Sequence, residues 1–117
     1  MSVDLTVAPR QKRPVGQPCC EPLVFPDVSQ AEAERLAAVA RALADPIRVQ
    51  LVDVLARHPG KACVCELVPL FDVTQQTLSH HLKKLREAEL VGVERRGLWA
   101  FYYVRPEALE VLKRWLS

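Results

Sequence analysis

From Ser29 onward, apolar residues recur at helical spacing between short polar breaks. Leu36, Val39, Ala40 and Leu43 step by three and four, which predicts a helix. Ser29 is its expected N-cap, with Glu32 three residues on in a capping-box pattern. The helix ends at Asp45-Pro46, where Asp45 is placed to cap a second helix and Pro46 suits its first turn. Ile47, Leu51, Val54 and Leu55 share one face of that second helix, while Arg48, Gln50 and Arg57 lie further out. His58-Pro59-Gly60 ends it, which makes His58 a helix-end residue and not a ligand.

The apolar run Ala62 to Phe71 reads as a turn and then a short helix. After Asp72-Val73, Thr74 is the expected N-cap of a helix from Gln75 to about Ala88, with Leu78, Leu82 and Leu85 on its inner side. Two strands follow, about Leu90 to Glu94 and Leu98 to Val104, joined around Arg95-Arg96-Gly97. A last helix starts at Pro106 or Glu107 and carries Leu109, Leu112, Trp115 and Leu116. Short helix, tight turn, longer helix and hairpin in that order describe a winged helix-turn-helix. The expected fold is therefore mainly α (α+β), about five helices with a two-stranded β-hairpin wing, over residues 29–117. Residues 1–28 hold Pro9, Pro14, Pro18, Pro22 and Pro26, and are expected to form a mobile arm carrying Cys19-Cys20.

Composition narrows this picture. A chain of 117 residues suits one compact domain, and half of it is apolar, so it can build a core. A formal charge of +2 does not by itself point to nucleic acid. No apolar run reaches the roughly 18 residues of a membrane span, and Arg10, Lys12 and Arg13 are followed by Pro-rich sequence instead of a signal-peptide core. The expected location is the cytoplasm, with no membrane partner. Four cysteines in so small a cytosolic chain favour metal or redox chemistry over a disulfide framework.

The charge is unevenly placed. Between Thr74 and Arg105, six Lys/Arg face three Glu, a local excess of three positive charges. The outer faces of the Gln75 helix show Gln75, Gln76, Thr77, Ser79, His80, His81, Lys83 and Lys84. Gln, Ser and His near a helix N-terminus suit base edges, and Thr and Lys suit phosphates. Arg95 and Arg96, expected at the hairpin tip, are placed to straddle the backbone or enter a minor groove. A solvated amphipathic helix explains the helix alone; helix, hairpin and paired arginines together favour double-stranded DNA as the partner.

Thiolates select soft ions: Cu(I), Zn(II), Cd(II), Pb(II) and, by the same softness, As(III) and Sb(III). Cys63 and Cys65 sit where the short helix should begin, and a helix N-terminus favours the thiolate. Residues two apart in a helix point about 200° away from each other, so both serve one ion only if Cys63 precedes the first turn. Adjacent Cys19 and Cys20 do not make a zinc knuckle but can supply two sulfurs of a pyramidal three-sulfur site. The nine steps from Cys20 to Ser29 span on the order of 30 Å when extended, enough to lay the pair against the Cys63/Cys65 turn. The plain alternative is that Cys63 and Cys65 are small buried hydrophobes beside Val64.

The strings Ala42-Leu43-Ala44-Asp45-Pro46-Ile47-Arg48-Val49-Gln50-Leu51, Cys63-Val64-Cys65-Glu66-Leu67 and Gln75-Gln76-Thr77-Leu78-Ser79-His80-His81-Leu82-Lys83-Lys84-Leu85 resemble the ArsR/SmtB family of dimeric metal- and arsenic-responsive repressors. The resemblance covers roughly residues 29–117, with Gln76 where many relatives carry Pro. It implies a homodimer formed by the first and last helices, and an operator-facing surface of Gln75, Thr77, Ser79, His80 and the Arg95/Arg96 wing. It also implies a sulfur site shared between subunits, because some relatives combine N-terminal cysteines with this Cys-x-Cys turn. The second, His-containing metal site that some relatives carry on the last helix is not expected, since residues 107–117 contain no His. The expected protein is a DNA-binding repressor induced by As(III) or Sb(III) through Cys19, Cys20, Cys63 and Cys65, not an enzyme. The DNA contacts are expected from Thr74, Gln75, Gln76, Thr77, Ser79, His80, Lys83, Lys84, Arg95 and Arg96. A Cd(II)- or Pb(II)-responsive repressor, or a thiol redox switch, are the competing readings.

Overall fold

The computed structural model describes residues 20, 22–60 and 62–117; the expectations for Cys19 and the leader before it concern residues outside these. Helix α1 (Gln30–Ala42) opens on Ser29, whose Oγ accepts from the Glu32 amide at 3.2 Å. Helix α2 (Pro46–Arg57) opens on Asp45, whose Oδ1 accepts from the Ile47 and Arg48 amides at 2.8 and 3.3 Å. His58 closes α2. Each cap satisfies donors that the first helical turn leaves orphaned, and it fixes where the helix starts. Of the predicted α1 stripe, Leu36 and Val39 are buried, but Ala40 is exposed and Ala42 takes its place inside.

A two-residue strand β1 (Ala62–Cys63) comes next, then the single-turn helix α3 (Val64–Leu67) and a 3-10 turn (Val68–Leu70). Helix α4 (Gln75–Glu87) is capped by Thr74, whose Oγ1 accepts from the Thr77 amide at 3.1 Å. Leu78, Leu82 and Leu85 on its inner stripe are fully buried against Leu51 and Leu55 of α2, Leu67 of α3, and Leu90. His81, expected on an outer face, is buried with them. Helix α4 ends where Glu89 turns left-handed, with φ 60°. The Glu89 amide donates to the Arg86 carbonyl and the Leu90 amide to the Leu85 carbonyl, which seals the last turn and drops Leu90 into the core.

Strands β2 (Val91–Arg96) and β3 (Trp99–Val104) form the wing, and helix α5 (Pro106–Leu116) packs back on α1. The hairpin turns later than expected. Arg95 and Arg96 belong to β2 itself, opposite Ala100 and Trp99, and the tip is Gly97-Leu98, where Gly97 supplies the positive φ of 63°. Gly92 faces the Tyr103 ring so closely that a Cβ there would overlap it. The sheet has a third strand that the sequence pattern did not show: β1 pairs antiparallel with β3, in the order β1-β3-β2. Among the described residues no helix is long and apolar enough to cross a membrane.

Two substitutions test this packing. Leu82→Ala removes a fully buried side chain from the centre of the core and should cost about 2–5 kcal/mol in urea unfolding. Glu89→Gly should stabilise by up to about 1 kcal/mol, because glycine adopts this backbone conformation without a Cβ clash. A destabilised Glu89→Gly would mean that the Glu89 side chain contributes more than its backbone costs.

Candidate nucleic-acid interface and thiol site

With its leucine stripe committed to the core, α4 turns Gln75, Gln76, Thr77, Ser79, His80, Lys83 and Lys84 to solvent. Thr74 is exposed too, but its hydroxyl is engaged, capping Thr77 and donating to the Thr77 Oγ1 at 3.0 Å. Two residues absent from the sequence-based set extend this surface. Arg86 and Arg105 join Ser79 and Lys83 along a groove between α4 and the wing, backed by Tyr102 and Tyr103. Arg86 was legible as the next cation three residues beyond Lys83; Arg105 required knowing how β3 runs back along the helix.

A partly buried polar contact ties α4 to the α1–α2 corner. Arg48 Nη1 lies 3.2 Å from His81 Nδ1, and its Nε and Nη2 donate to the carbonyls of Ala42 and Arg41 at 2.6 and 3.4 Å. An arginine only donates, so His81 Nδ1 is the acceptor and a neutral ring carries its proton on Nε2. One guanidinium thus ties together the end of α1, the start of α2 and the middle of α4. Burial pushes the Asp45 carboxyl up, but the Arg48 and Ile47 amides, helped by the nearby Arg48 charge, outweigh this and hold it below its ordinary value.

On the wing, Arg95 is exposed, whereas Arg96 is engaged on three sides. Its Nη2 lies 3.1 Å from Glu94 Oε2 and 3.5 Å from the Gly60 carbonyl, and its guanidinium sits 4.8 Å from the centre of the Phe101 ring. The hydrogen bond from Arg96, reinforced by its charge, holds the Glu94 carboxyl below the usual range.

The thiol turn meets the condition set by its spacing. Cys63 is extended, with φ −101° and ψ 162°, and stands just ahead of the first residue of α3, so the Cys63 and Cys65 side chains converge instead of diverging. Their sulfurs are joined as a disulfide, with Cα atoms 5.5 Å apart. Cys63 is buried and Cys65 exposed, and a Glu66 carboxylate oxygen lies with both sulfurs inside a 4.8 Å cluster. Two soft donors and one hard donor therefore face one point. Cys20 is exposed on the segment ahead of α1. Leu36, Val39, Ala108 and Val111 line an apolar groove between α1 and α5, with Trp115 exposed beside it.

Residues 45–93, from the α2 cap through α4 into the wing, match the model of bacterial regulatory proteins of the arsR family. The arsenical resistance operon repressor of Bacillus subtilis is 42% identical over 72 residues, which cover 62% of this chain and 68% of that protein. The chain belongs to the ArsR family. Among solved structures, an ArsR-like transcriptional regulator from Rhodococcus sp. RHA1 is 25% identical over 75% of this chain and 79% of its own, with a TM-score of 0.68. The homodimeric winged helix-turn-helix domain of a possible ArsR-family regulator from Mycobacterium bovis shares the fold at 24% identity and a TM-score of 0.63, over 80% of this chain and 86% of its own. This ArsR-family chain is thus a winged-helix transcriptional repressor; its relatives and its fold are those of DNA-binding regulators and not of enzymes.

The Asp45 cap gives the repressor a defined acid sensitivity. Its folded pKa lies below the ordinary 3.8, so its contribution is complete above that value and is lost as pH falls through the folded one. Asp45→Asn should lower stability at neutral pH and make the decline shallower as pH falls through and below 3.8, as read by urea unfolding. Parallel curves for the two proteins would remove Asp45 from the acid response.

Proposed function

We propose that this repressor is a homodimer that binds a twofold operator and is released by As(III), or Sb(III), held on the thiolates of Cys19, Cys20 and Cys63, with Cys65 assisting. The observation that carries this reading is the convergence of Cys63 and Cys65 on one point at the edge of the wing sheet. Reduction of the pair is required first and fits a cytoplasmic setting. Trivalent arsenic takes three thiolates in a pyramid, and the turn alone offers two. Cys19 and Cys20 supply the remainder, and the reach of the leader allows them to come from the partner subunit. The name of the Bacillus relative, an arsenical resistance operon repressor, supports the choice of ion.

The apolar α1/α5 groove supports the dimer, as does the homodimeric state of the Mycobacterium structure. In such a dimer the two α4 helices enter successive major grooves about one DNA turn apart. Gln75, Gln76, Ser79 and His80 address base edges; Thr74, Thr77, Lys83 and Lys84 address phosphates; Arg95 and Arg96 address the backbone or minor groove. A second reading has a specific observation behind it. The Cys63–Cys65 disulfide supports a repressor switched by oxidation, in which two thiols lose two protons and two electrons to a cellular oxidant.

Fluorescence anisotropy of the reduced dimer on a labelled duplex from its own promoter region separates these readings. Saturating arsenite should weaken binding by at least about tenfold, a coupling within the usual allosteric range. Cys19→Ser/Cys20→Ser should still bind the duplex but lose the response. Unchanged binding at saturating arsenite would remove that ligand. A response to Cd(II) or Pb(II) alone would reassign the ion, and a response to oxidant alone would favour the redox reading.

A further inference from the structure

Three residues stand in one row across the wing sheet. Cys63 of β1 pairs with Phe101 of β3, and Phe101 pairs on its other side with Glu94 of β2. Directly opposed residues of antiparallel strands project from the same face, and so does the residue two further along a strand. Cys63, Phe101, Glu94 and Arg96 therefore share one face of the sheet. The neighbouring row, Ala62, Tyr102 and Val93, has the opposite sense, with Ala62 buried and Tyr102 packed against the core.

The guanidinium of Arg96 rests on this row. It sits over the Phe101 ring, bonds Glu94 beside it, and reaches back 36 residues to the Gly60 carbonyl, just ahead of β1. Two of its three partners are thus attached to the strand that carries Cys63: Phe101 by pairing with it, Gly60 by preceding it. Arg95, its neighbour in the same strand, projects to the other face. The two wing arginines, equivalent in the sequence, have different surroundings.

We propose that Phe101, Glu94 and the Gly60 carbonyl form a seat that positions Arg96 for DNA, and that the state of the Cys63/Cys65 turn reaches the operator through this seat. Phe101 is a positioning residue, acting on DNA only by way of Arg96. Displacing β1 shifts the ring beneath the guanidinium and the carbonyl beside it, while Arg95 is left as it was. The coupling half of this proposal rests on the reading of Cys63 and Cys65 as the sensor; the seat itself does not.

The test uses the full-length reduced dimer and a labelled duplex from its own promoter region, in two arms. Without any ion, Arg96→Ala should weaken binding about two- to fivefold, the size of one exposed charge contact, and should lower the salt slope by about 1. Phe101→Leu should do the same, and the double variant should be no worse than Arg96→Ala alone. Phe101→Trp, which restores a ring, should restore the slope. Additive losses in the double variant would overturn the seat. With arsenite or Cd(II) added, both single variants should bind the ion at wild-type stoichiometry by thiolate absorption, yet lose at least half of the fold-change in DNA affinity. A full fold-change in Arg96→Ala would overturn the relay. Should Phe101→Leu fail to fold, Glu94→Gln removes one arm of the seat without touching the ring. It should then weaken binding and blunt the ion response in the same sense, and wild-type behaviour in both arms would overturn the proposal. If wild type itself ignores both ions, the sensor reading falls and the relay with it, while the ion-free arm still decides the seat.

Discussion

Two backbone pairings, Ala62 with Tyr102 and Cys63 with Phe101, hold the thiol turn against the wing. Without them, the thiol turn would be tied to the wing only through the chain, and its cysteines would have no fixed relation to the exposed face of α4 and the hairpin. With them, Cys63 becomes a residue of the same sheet whose far edge carries Arg95 and Arg96. The pairing also places Cys63 in extended backbone ahead of α3, which is what lets its sulfur meet that of Cys65. The register, the meeting of the two sulfurs and their place beside the wing thus follow from one short strand.

Much of the fold was written in local signals. Ser29, Asp45 and Thr74 each cap the helix they were expected to cap, because a short acceptor side chain at a helix start has a purely local reason to be there. The Leu78, Leu82, Leu85 stripe was legible for a similar reason: three leucines at helical spacing leave one way to face the core. What escaped the sequence was non-local. Strand β1 is too short to show alternation and is defined by its partner. Strand β2 runs two residues past its expected end because Arg95 and Arg96 read as loop residues until their pairing with β3 is seen. His81 looked like an outer polar residue because its reason for burial, Arg48, lies 33 residues away.

For the candidate site, the residues were easier to pick from the sequence than their arrangement. Exposure of Gln75, Gln76, Ser79, His80, Lys83 and Lys84 followed from the leucine stripe. That Cys63 and Cys65 share a point depended on where α3 begins, a condition stated by the spacing and met by the backbone. The different situations of Arg95 and Arg96 were invisible in an Arg-Arg pair. Net charge was also a poor guide, since a chain of only +2 carries a local excess of three positive charges between Thr74 and Arg105. Arg48 and Arg96 matter through what holds them; exposed pairs such as Arg57 with Asp53 contribute little.

The central claim is that occupancy of the thiol turn is felt along the cross-strand row that ends at Arg96. Amide and arginine side-chain NMR spectra of the reduced, isotope-labelled dimer, recorded as arsenite is added, test this most directly. The resonances of Phe101, Glu94 and Arg96 are predicted to move together with those of Cys63, while Arg95 changes little. Shifts confined to residues 63–66, with the wing unmoved at full loading, would contradict it.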